Sequence, residues 1–321
     1  AEAKKWLSYG LKKKEEKEIN NLLIGRNEDH LIESFHKKLE FGTGGMRGLI
    51  GIGSNRINSY TISLATQGLC NYLKKTCENA KSAVIAYDSR RFSKEFGNQA
   101  AKIFSANNIK SYIFSDLRPT PELSFAVREL NCSCGIVITA SHNPKEYNGY
   151  KVYWNDGGQI TSPHDKNIIS EVEKITDFNQ INFNFNNDLI MEIDSEIDKK
   201  YIEKIQSLSL YDNSKSKLKI VFSSLHGTGI TQIPHALKAF GFKNIISVKS
   251  QELPDPEFST VHSPNPEDID ALDLGIKKLK KEKGDILIAT DPDSDRVGVA
   301  LYHNEEIKIL NGNQLATLIV Y

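Results

Sequence analysis

The chain contains, at residues 134–144, the sequence Cys134-Gly-Ile-Val-Ile-Thr-Ala-Ser-His-Asn-Pro144. An apolar run, typical of a buried strand, passes there into a short polar loop. The same arrangement recurs at residues 285–296, where Asp285-Ile-Leu-Ile-Ala-Thr-Asp-Pro-Asp-Ser-Asp-Arg296 leads from an apolar run to three alternate aspartates. We therefore expect two buried strands, each followed by a loop that carries chemically distinctive side chains.

Strand and helix patterns alternate in front of both loops. Each loop follows the third of three apolar runs, at residues 83–88, 111–114 and 135–139 in the first case and at 218–223, 244–248 and 285–289 in the second. The pattern predicts an α/β protein with two consecutive βαβαβ-type domains, whose mostly parallel sheets are covered by helices. Ligands bind at the carboxyl ends of strands in such sheets, so both loops occupy functional positions.

The length of 321 residues favours two domains. We place the first domain, with the serine loop, at residues 1–192 and the second, with the aspartate loop, at 193–308. The asparagine-rich segment 177–188 is interpreted as an inter-domain connection or an insertion loop. Because the sequence lacks an initiator Met and stops within an apolar helical pattern, we expect an N-terminal fragment of a longer protein.

Composition excludes several classes of function. Lys plus Arg and Asp plus Glu both number 41, so no broad basic surface for nucleic acid is expected. No stretch approaches the roughly 18 apolar residues of a membrane span, and no signal peptide is visible. The sequence contains four cysteines, Cys70, Cys77, Cys132 and Cys134. Their spacing matches neither a disulfide framework nor a zinc site, which favours a cytoplasmic protein.

Three carboxylates at alternate positions, Asp291, Asp293 and Asp295, favour a metal site. Alternate residues of an extended segment point the same way, so the three can converge on one cation, without which they would repel one another. Oxygen-only ligands suit a hard ion such as Mg²⁺. An EF-hand is excluded because Arg296 and Tyr302 replace its glycine and glutamate. The alternatives are an acidic solvated turn and a phosphatase in which Asp291 is the nucleophile.

Ser141 is a candidate nucleophile outside any Gly-x-Ser-x-Gly motif. A hydroxyl that closes a turn before Asn143-Pro144 is the simpler interpretation of this loop by itself. A phosphate on Ser141 would add about 1.5 to 2 negative charges and supply the ligand that three aspartates leave open for Mg²⁺. The two loops together therefore favour a serine that carries phosphate opposite a divalent cation, with Ser141 as a further metal ligand.

Two arginines are candidates for contact with phosphate oxygens through their planar guanidinium groups. Arg47 lies in Phe41-Gly-Thr-Gly-Gly-Met-Arg-Gly48, which we expect to form a loop, and Arg296 adjoins the aspartate loop. The glycines around Arg47 would also expose backbone N–H groups to an anion. This loop is not a Walker A motif, since G-x-x-x-x-G-K is absent.

Three further side chains are weaker candidates. Lys151 follows an expected turn at Asn148-Gly149 and is a possible proton carrier or anion ligand, although a lone lysine after a turn is usually a surface residue. His142 either hydrogen-bonds a sugar hydroxyl or packs against its loop. We assign His226, in His-Gly-Thr-Gly229, to a tight turn and not to catalysis.

Three motifs together carry a resemblance to a known family: Phe41-Gly-Thr-Gly-Gly-Met-Arg-Gly48, Thr139-Ala-Ser-His-Asn-Pro144 and Asp291-Pro-Asp-Ser-Asp-Arg296. They resemble motifs of the α-D-phosphohexomutases, the phosphoglucomutase/phosphomannomutase superfamily. The stretch from Asn148-Gly149 to Ser162-Pro-His-Asp165 is most similar to the phosphoglucomutase-2/phosphopentomutase branch. The resemblance extends over nearly the whole chain.

The resemblance implies four domains around a cleft, with Ser141 as the phosphoserine and the three aspartates as ligands of one Mg²⁺. It also implies that Arg296 and Lys151 are active-site partners. Phosphate would pass from Ser141 to a sugar monophosphate, giving a sugar bisphosphate that is both intermediate and activator, and its other phosphate would return to Ser141. Residues 309–321 would begin a truncated third domain, so we expect little or no mutase activity from this chain alone.

We therefore predict a Mg²⁺-dependent phosphosugar mutase, an isomerase that moves phosphate between the 1-position and the 6- (or 5-) position of a sugar. Its catalytic residues would be Ser141, His142, Lys151, Arg47 and Arg296, and its partner a small phosphosugar. The alternatives are a non-catalytic sugar-phosphate-binding homologue and a Mg²⁺-dependent phosphatase that uses Asp291.

Overall fold

The computed structural model describes residues 1–25, 28–42, 45–76 and 81–320. Within these ranges the chain forms one sheet of seven strands and one of five, each packed against helices. The predicted α/β class with two consecutive units is confirmed. In the described ranges, no helix is both long enough and apolar enough to cross a membrane.

The first sheet is mixed. Its strands are β1 (Phe41–Gly42), β2 (Gly45–Leu49), β3 (Ser82–Tyr87), β4 (Lys110–Phe114), β5 (Cys134–Ile138), β6 (Tyr147–Trp154) and β7 (Ile190–Ile193). Their order across the sheet is β1-β2-β6-β5-β3-β4-β7. The β5–β3, β3–β4 and β4–β7 pairs are parallel, whereas β1–β2, β2–β6 and β6–β5 are antiparallel.

Helices cover both faces of this sheet. They are α1 (Glu2–Trp6), α2 (Lys13–Ile24), α3 (Glu28–Phe35), α4 (Ser59–Thr76), α5 (Ser93–Ala106), α6 (Thr120–Glu129), α7 (His164–Glu173) and α8 (Ser195–Gln206). Ile85 of β3 belongs to the core formed with α4, α5 and α7, and its neighbour Val84 to the core formed with α6 and Ile197 of α8. Alternate residues of β3 thus pack into apolar layers on opposite faces of the sheet. This explains why the sequence of β3 is apolar without interruption.

The second sheet repeats the plan. Its strands are β8 (Lys219–Ser223), β9 (Asn244–Ser247), β10 (Ile286–Thr290), β11 (Val297–His303) and β12 (Glu306–Leu310), and its helices are α9 (Gly229–Ala239), α10 (Ile269–Glu282) and α11 (Gly312–Val320). The strand order is β12-β11-β10-β8-β9, with β8 parallel to β9 and β10. Leu272 and Leu279 of α10 pack with Val221 and Leu287 of the sheet.

Each sheet therefore contains the predicted parallel strands and, at one edge, additional antiparallel strands. These are β6, β2 and β1 in the first sheet and β11 and β12 in the second. These added strands lacked the sequence signal of a buried parallel strand. In β6, the polar residues Asn148 and Lys151 interrupt the apolar run, so the pattern indicated a turn. The prediction of a turn at Asn148-Gly149 is wrong, because both residues lie inside β6.

The segment 177–188 lies within the first unit. Its Asn182 side chain donates to the carbonyl oxygen of Ala106, and the Ser105 hydroxyl donates to the carbonyl oxygen of Asn186. Strand β7, which follows, joins the edge of the first sheet. The interpretation of this segment as an inter-domain connection is therefore wrong. The predicted boundary between residues 192 and 193 falls inside β7, before its last residue.

The described cysteines, Cys70, Cys132 and Cys134, are buried and form no disulfide among the described residues. Cys77 lies outside the described residues. Burial raises the pKa of the Cys70 thiol well above its ordinary value, as expected for an unreactive core cysteine.

Candidate active site

The loop after β5 holds Ser141 in an uncommon backbone conformation. Its φ is 54°, in the left-handed region that non-glycine residues rarely occupy, and its side chain is buried. The Ser141 N–H donates to Thr139 Oγ1 at 2.8 Å, and the Thr139 hydroxyl donates to Asp88 Oδ2 at 2.7 Å. His142 Nδ1 lies 3.2 Å from Ser141 Oγ. Neighbouring polar groups thus specify the position of the serine.

The loop after β10 gathers the three aspartates by turning. The Ser294 N–H donates to the Asp291 carbonyl oxygen at 3.0 Å, and Ser294 has a φ of 55°. Carboxylate oxygens of Asp291, Asp293 and Asp295 lie within 4.8 Å of one another. The expected convergence is present, but a tight turn and not an extended segment produces it.

The stretch from His226 to Gly229 supports this turn. The Thr228 N–H donates to the Pro292 carbonyl oxygen at 2.8 Å, and a Cβ on Gly227 would lie 2.4 Å from Pro292 Cα. His226 has a φ of 64° and contacts the Leu253 carbonyl oxygen and Thr260 Oγ1 through its two ring nitrogens. This arrangement agrees with the prediction that His226 belongs to a tight turn.

The two loops meet between the two sheets. The Ser141 hydroxyl donates to Asp291 Oδ2 at 2.6 Å. Thr120, at the start of α6, donates its N–H to the Asp293 carbonyl oxygen at 2.9 Å and its hydroxyl to Asp293 Oδ2 at 3.1 Å. The structure therefore brings the serine and the aspartates into one cluster.

Lys151 is the cation at the centre of this cluster. Its Nζ donates to Asp293 Oδ2 and to Asp295 Oδ2, both at 2.6 Å, and the residue is 3% exposed. Strand β6 aims it inward, so it is not a surface residue after a turn. Burial alone would lower the pKa of Lys151, but the two carboxylates outweigh burial and raise it above its ordinary value.

The aspartates have different electrostatic surroundings. Burial would raise the pKa of Asp293, but the Lys151 ammonium group lowers it to about 2. For Asp291, burial and the neighbouring charge of Asp293 raise the pKa well above its usual range. Among the residues that the structure describes, no side-chain cation forms an ion pair with Asp291. A bound cation would remove this penalty by pairing with Asp291.

The two arginines lie at the margin of the cluster. Arg47 is in β2, so the glycine-rich segment contains strand residues where we expected a loop; Thr43 and Gly44 lie outside the described residues. Arg47 and Lys151 line a cleft of about 380 Å³. The Arg296 N–H donates to Asp291 Oδ1 at 3.0 Å, and its guanidinium group contacts Glu267 at 3.1 Å.

His142 lies in the electrostatic field of both arginines. Burial, followed by the charges of Arg296 and Arg47, lowers the pKa of His142, so its imidazole is neutral at neutral pH.

Three polar residues that hold these loops are not predicted from the sequence: Asp88, Arg90 and Thr120. Asp88 and Arg90 follow β3, and Thr120 follows the loop after β4. The carboxyl ends of β3, β4 and β5 meet at one edge of the sheet, so the placement rule that singled out the serine loop would have included these residues.

Comparisons with known proteins agree with this architecture. The family description "Phosphoglucomutase/phosphomannomutase, alpha/beta/alpha domain I" matches residues 38–179, and the corresponding domain II matches residues 199–304. The fold is thus that of a phosphohexomutase-type α/β protein. Since the two matches cover more than half of the sequence, the chain belongs to the phosphoglucomutase/phosphomannomutase family, within the α-D-phosphohexomutase superfamily.

Individual relatives are similar over most of this chain. A phosphoglucomutase of Staphylococcus aureus (strain MRSA252) is 41% identical over 292 residues, which are 90% of this chain and 52% of the relative. The chain therefore spans about half the length of this curated relative. A structure described as a candidate phosphomannomutase from Thermus thermophilus superposes with a TM-score of 0.71 at 26% identity, covering 83% of this chain and 57% of that one.

A second structure shows the fold at lower identity. A phosphoglucomutase/phosphomannomutase family protein from Burkholderia thailandensis superposes with a TM-score of 0.68 at 22% identity. The match covers 84% of this chain and 55% of that one.

Proposed function

We propose that this chain holds the phosphoserine and metal-binding parts of a Mg²⁺-dependent phosphosugar mutase. The observation that carries the proposal is the 2.6 Å contact between Ser141 Oγ and Asp291 Oδ2. A hydroxyl in contact with a candidate cation ligand is placed so that its phosphate would share the same cation. The similar Staphylococcus aureus protein is named a phosphoglucomutase, which supports the same class of reaction.

The donor set fits one Mg²⁺ ion. Three carboxylates supply oxygens within 4.8 Å of one another, and Mg²⁺ prefers oxygen ligands. Among the described residues, Asp293 Oδ1 is buried without a hydrogen-bond partner, as a ligand atom would be. We assign Asp291, Asp293, Asp295 and a phosphate on Ser141 as the ligands. Mg²⁺ bound there would neutralise negative charge on the phosphate oxygens.

The chain's own residues would position the phosphoryl group and handle protons. In the transfer, the bond between phosphorus and Ser141 Oγ breaks while a bond forms from phosphorus to a sugar hydroxyl oxygen. The sugar hydroxyl loses a proton and Ser141 Oγ gains one. Neutral His142 is suited to accept a proton. Lys151, whose pKa is raised by its two carboxylate partners, stays protonated and would supply positive charge beside the phosphoryl group. The product is a sugar bisphosphate, whose other phosphate returns to Ser141.

Arg47 and Arg296 would bind the phosphate that is not being transferred. Arg47 pairs across strands with Gly149, whose carbonyl oxygen accepts the Thr139 N–H, so it lies near the serine loop. Arg296 donates its N–H to Asp291, which contacts Ser141. A planar guanidinium group suits a phosphate because it donates two parallel hydrogen bonds. We infer that the substrate is a small sugar phosphate with its phosphates at the 1- and 6- (or 5-) positions, and that the protein acts in the cytoplasm.

Peptide mapping after incubation with a hexose 1,6-bisphosphate and Mg²⁺ tests the proposal. We expect phosphate on the peptide that contains Ser141. Phosphate on Asp291 would instead indicate the phosphatase alternative, and a chain that binds the bisphosphate without becoming phosphorylated would indicate the non-catalytic one.

We predict that Ser141→Ala, made in the full natural protein, abolishes phosphoryl transfer. The fold should persist, because the change removes one hydroxyl and leaves the Ser141 N–H able to donate to Thr139. Turnover of the sugar monophosphate and the circular dichroism spectrum are the measurements. Ser170→Ala, on the exposed side of α7, is the control and should retain activity. Wild-type turnover in Ser141→Ala would refute the proposal.

A further inference from the structure

Arg90 is a buried arginine beneath the serine loop. One terminal nitrogen, Nη1, donates to the carbonyl oxygens of Pro144 at 2.8 Å and Tyr147 at 3.0 Å. The other, Nη2, donates to the carbonyl oxygens of Ser141 at 2.6 Å and Asn143. The guanidinium group therefore joins four carbonyl groups between residues 141 and 147.

Asp88 connects Arg90 to the other end of the Ser141 residue. Asp88 Oδ1 accepts the Arg90 N–H at 2.9 Å, and Arg90 Nε lies 3.3 Å from Asp88 Oδ2. Asp88 also accepts the Thr139 hydroxyl, whose oxygen accepts the Ser141 N–H. The carbonyl group of Ser141 is thus held by Arg90 and its N–H group by Thr139, with Asp88 in contact with both.

This arrangement fixes a backbone conformation that serine does not favour. Ser141 has a φ of 54°, which persists only where surrounding groups specify it. The direction of the Cα–Cβ bond depends on this backbone conformation. Fixing both peptide groups therefore fixes the direction in which Oγ points, which here is toward Asp291.

Arg90 also contacts the unit that carries the aspartates. Its Cζ lies 5.0 Å from the centre of the Phe258 ring, in the segment between β9 and α10. Phe258 is fully buried. The same guanidinium group therefore contacts the serine loop and the unit that carries the cation ligands.

We propose that Arg90 is a positioning residue for phosphoryl transfer at Ser141, acting through the four carbonyl groups of the serine loop. The inference rests on the proposed function for its catalytic part, since it requires that Ser141 accept phosphate. Arg90 itself does not contact the substrate in this proposal. It sets the direction of Ser141 Oγ relative to the cation site.

The test is Arg90→Lys in the full natural protein. Lysine keeps the positive charge but replaces the planar group by a single ammonium group with three donors, which cannot satisfy four carbonyl groups. We expect phosphorylation of Ser141 by a hexose 1,6-bisphosphate with Mg²⁺ to slow by about 100-fold, while half-saturation by the bisphosphate changes by less than about threefold. Amide hydrogen exchange in residues 141–147 should accelerate.

Arg56→Lys is the matched control. Arg56 is also a buried arginine of the first unit, and it donates to the carbonyl oxygens of Glu33 and Asn55. Its replacement should affect stability but neither the phosphorylation rate nor exchange in the serine loop. If Arg56→Lys and Arg90→Lys slow phosphorylation equally, Arg90 acts only through general stability and the proposal is overturned.

Two further outcomes decide the proposal. Unchanged exchange in residues 141–147, or a phosphorylation rate of Arg90→Lys within about threefold of wild type, would overturn it. If Arg90→Lys does not fold, Arg90→Gln replaces it, since its amide has only two N–H donors for the four carbonyl groups, and a wild-type rate in that variant would overturn the proposal equally. If the wild-type protein never accepts phosphate at Ser141, the proposed function fails and the catalytic inference with it, while hydrogen exchange still measures the anchoring of the loop.

Discussion

Lys151 places a positive charge where three carboxylates are crowded together. Its ammonium group pairs with two of them, Asp293 and Asp295, and is itself almost fully buried. A buried charge is costly unless it is paired, so the lysine and the aspartates depend on one another for their stability. Mg²⁺ at the same carboxylates would share this neutralising role.

We predict that Lys151→Met lowers the free energy of unfolding by about 3 kcal/mol in the presence of a chelator, because it leaves two carboxylates without their partner. Mg²⁺ should restore part of this loss by neutralising the same carboxylates. Urea denaturation with EDTA and with Mg²⁺ measures both effects.

The control for this prediction is Lys75→Met. Lys75 forms an ion pair with Glu171, but its side chain is largely exposed, so its loss should change the unfolding midpoint little. Equal destabilisation by both variants would contradict a special role for Lys151.

At the residue scale, the sequence identified most of the cluster but misplaced some of it. The aspartates and Ser141 were predicted from their loops, which follow strongly apolar strands. Lys151 was placed after a turn because Asn-Gly usually forms one. In the structure Gly149 lies inside β6, where there is no room for a side chain. A Cβ there would lie 2.5 Å from the Thr139 carbonyl oxygen and 2.7 Å from the Met46 carbonyl oxygen. The close approach of β6 to Thr139 on one side and to Met46 of β2 on the other requires this glycine, and no local pattern reveals such a contact.

At the scale of elements, both functional loops are held by neighbouring segments. The clearest case is Gly227, which packs against the turn that carries the aspartates. A Cβ at this position would lie 2.4 Å from Pro292 Cα and 2.7 Å from the Pro292 carbonyl oxygen. Neither backbone atom can move without shifting the adjacent carboxylates.

We therefore predict that Gly227→Ala weakens Mg²⁺ binding by about tenfold, because small displacements of ligand-bearing groups reduce metal affinity by such factors. Isothermal titration with Mg²⁺ measures the change. Gly312→Ala is the control, since a Cβ there would meet no atom within 4 Å. Wild-type Mg²⁺ affinity in Gly227→Ala would show that the turn does not depend on this contact.

Strands were predictable where both of their faces are buried. Strands β3, β5 and β10 have long apolar runs because they lie in the middle of their sheets, where helices cover the two faces. Strands β6 and β11 were missed because polar and small residues interrupt their pattern. Tertiary pairing with neighbouring strands, and not local sequence preference, makes them strands.

At the scale of the whole molecule, the two units share a polar interface beyond the site. Glu122 of α6 is fully buried and accepts from Gln232 Nε2 of α9 at 3.3 Å. Arg118 pairs with Asp198 at 2.8 Å and lies 4.0 Å from Glu122. Burial, together with the hydrogen bond to Asp198, raises the pKa of Glu122 from its ordinary 4.5 to about 9. Sequence periodicity gave no sign of this interface, because its residues come from separate elements.

The raised pKa of Glu122 predicts a dependence of stability on pH. Between pH 4.5 and about 9 the folded protein holds a proton on Glu122 that the unfolded chain has released. The stabilisation that the Glu122 carboxyl group contributes is fully present below pH 4.5 and is lost as the pH rises from 4.5 to about 9. Relative to Glu122→Gln, which cannot titrate, wild-type unfolding free energy should fall by up to about 1.4 kcal/mol per pH unit. Parallel pH profiles in urea denaturation would contradict this.

Removal of the metal provides a further test at this scale. We predict that Mg²⁺ at 100 times its dissociation constant raises the unfolding free energy by about 2.7 kcal/mol and that EDTA reverses the effect. Differential scanning calorimetry measures it. At the same Mg²⁺ concentration, Asp291→Asn should reduce the response, because it removes one carboxylate from the proposed ligand set. A response of wild-type size in Asp291→Asn would exclude this aspartate as a ligand.

The serine and the aspartates come from different sheets, and this separation has a practical consequence. If the gene were divided within the connection between Ile193 and Ser195, each product would encode only some of the cation's proposed ligands. Binding of the cation by a mixture of the two polypeptides would then show that they had reassembled, as the signal of a split reporter shows that its halves have joined.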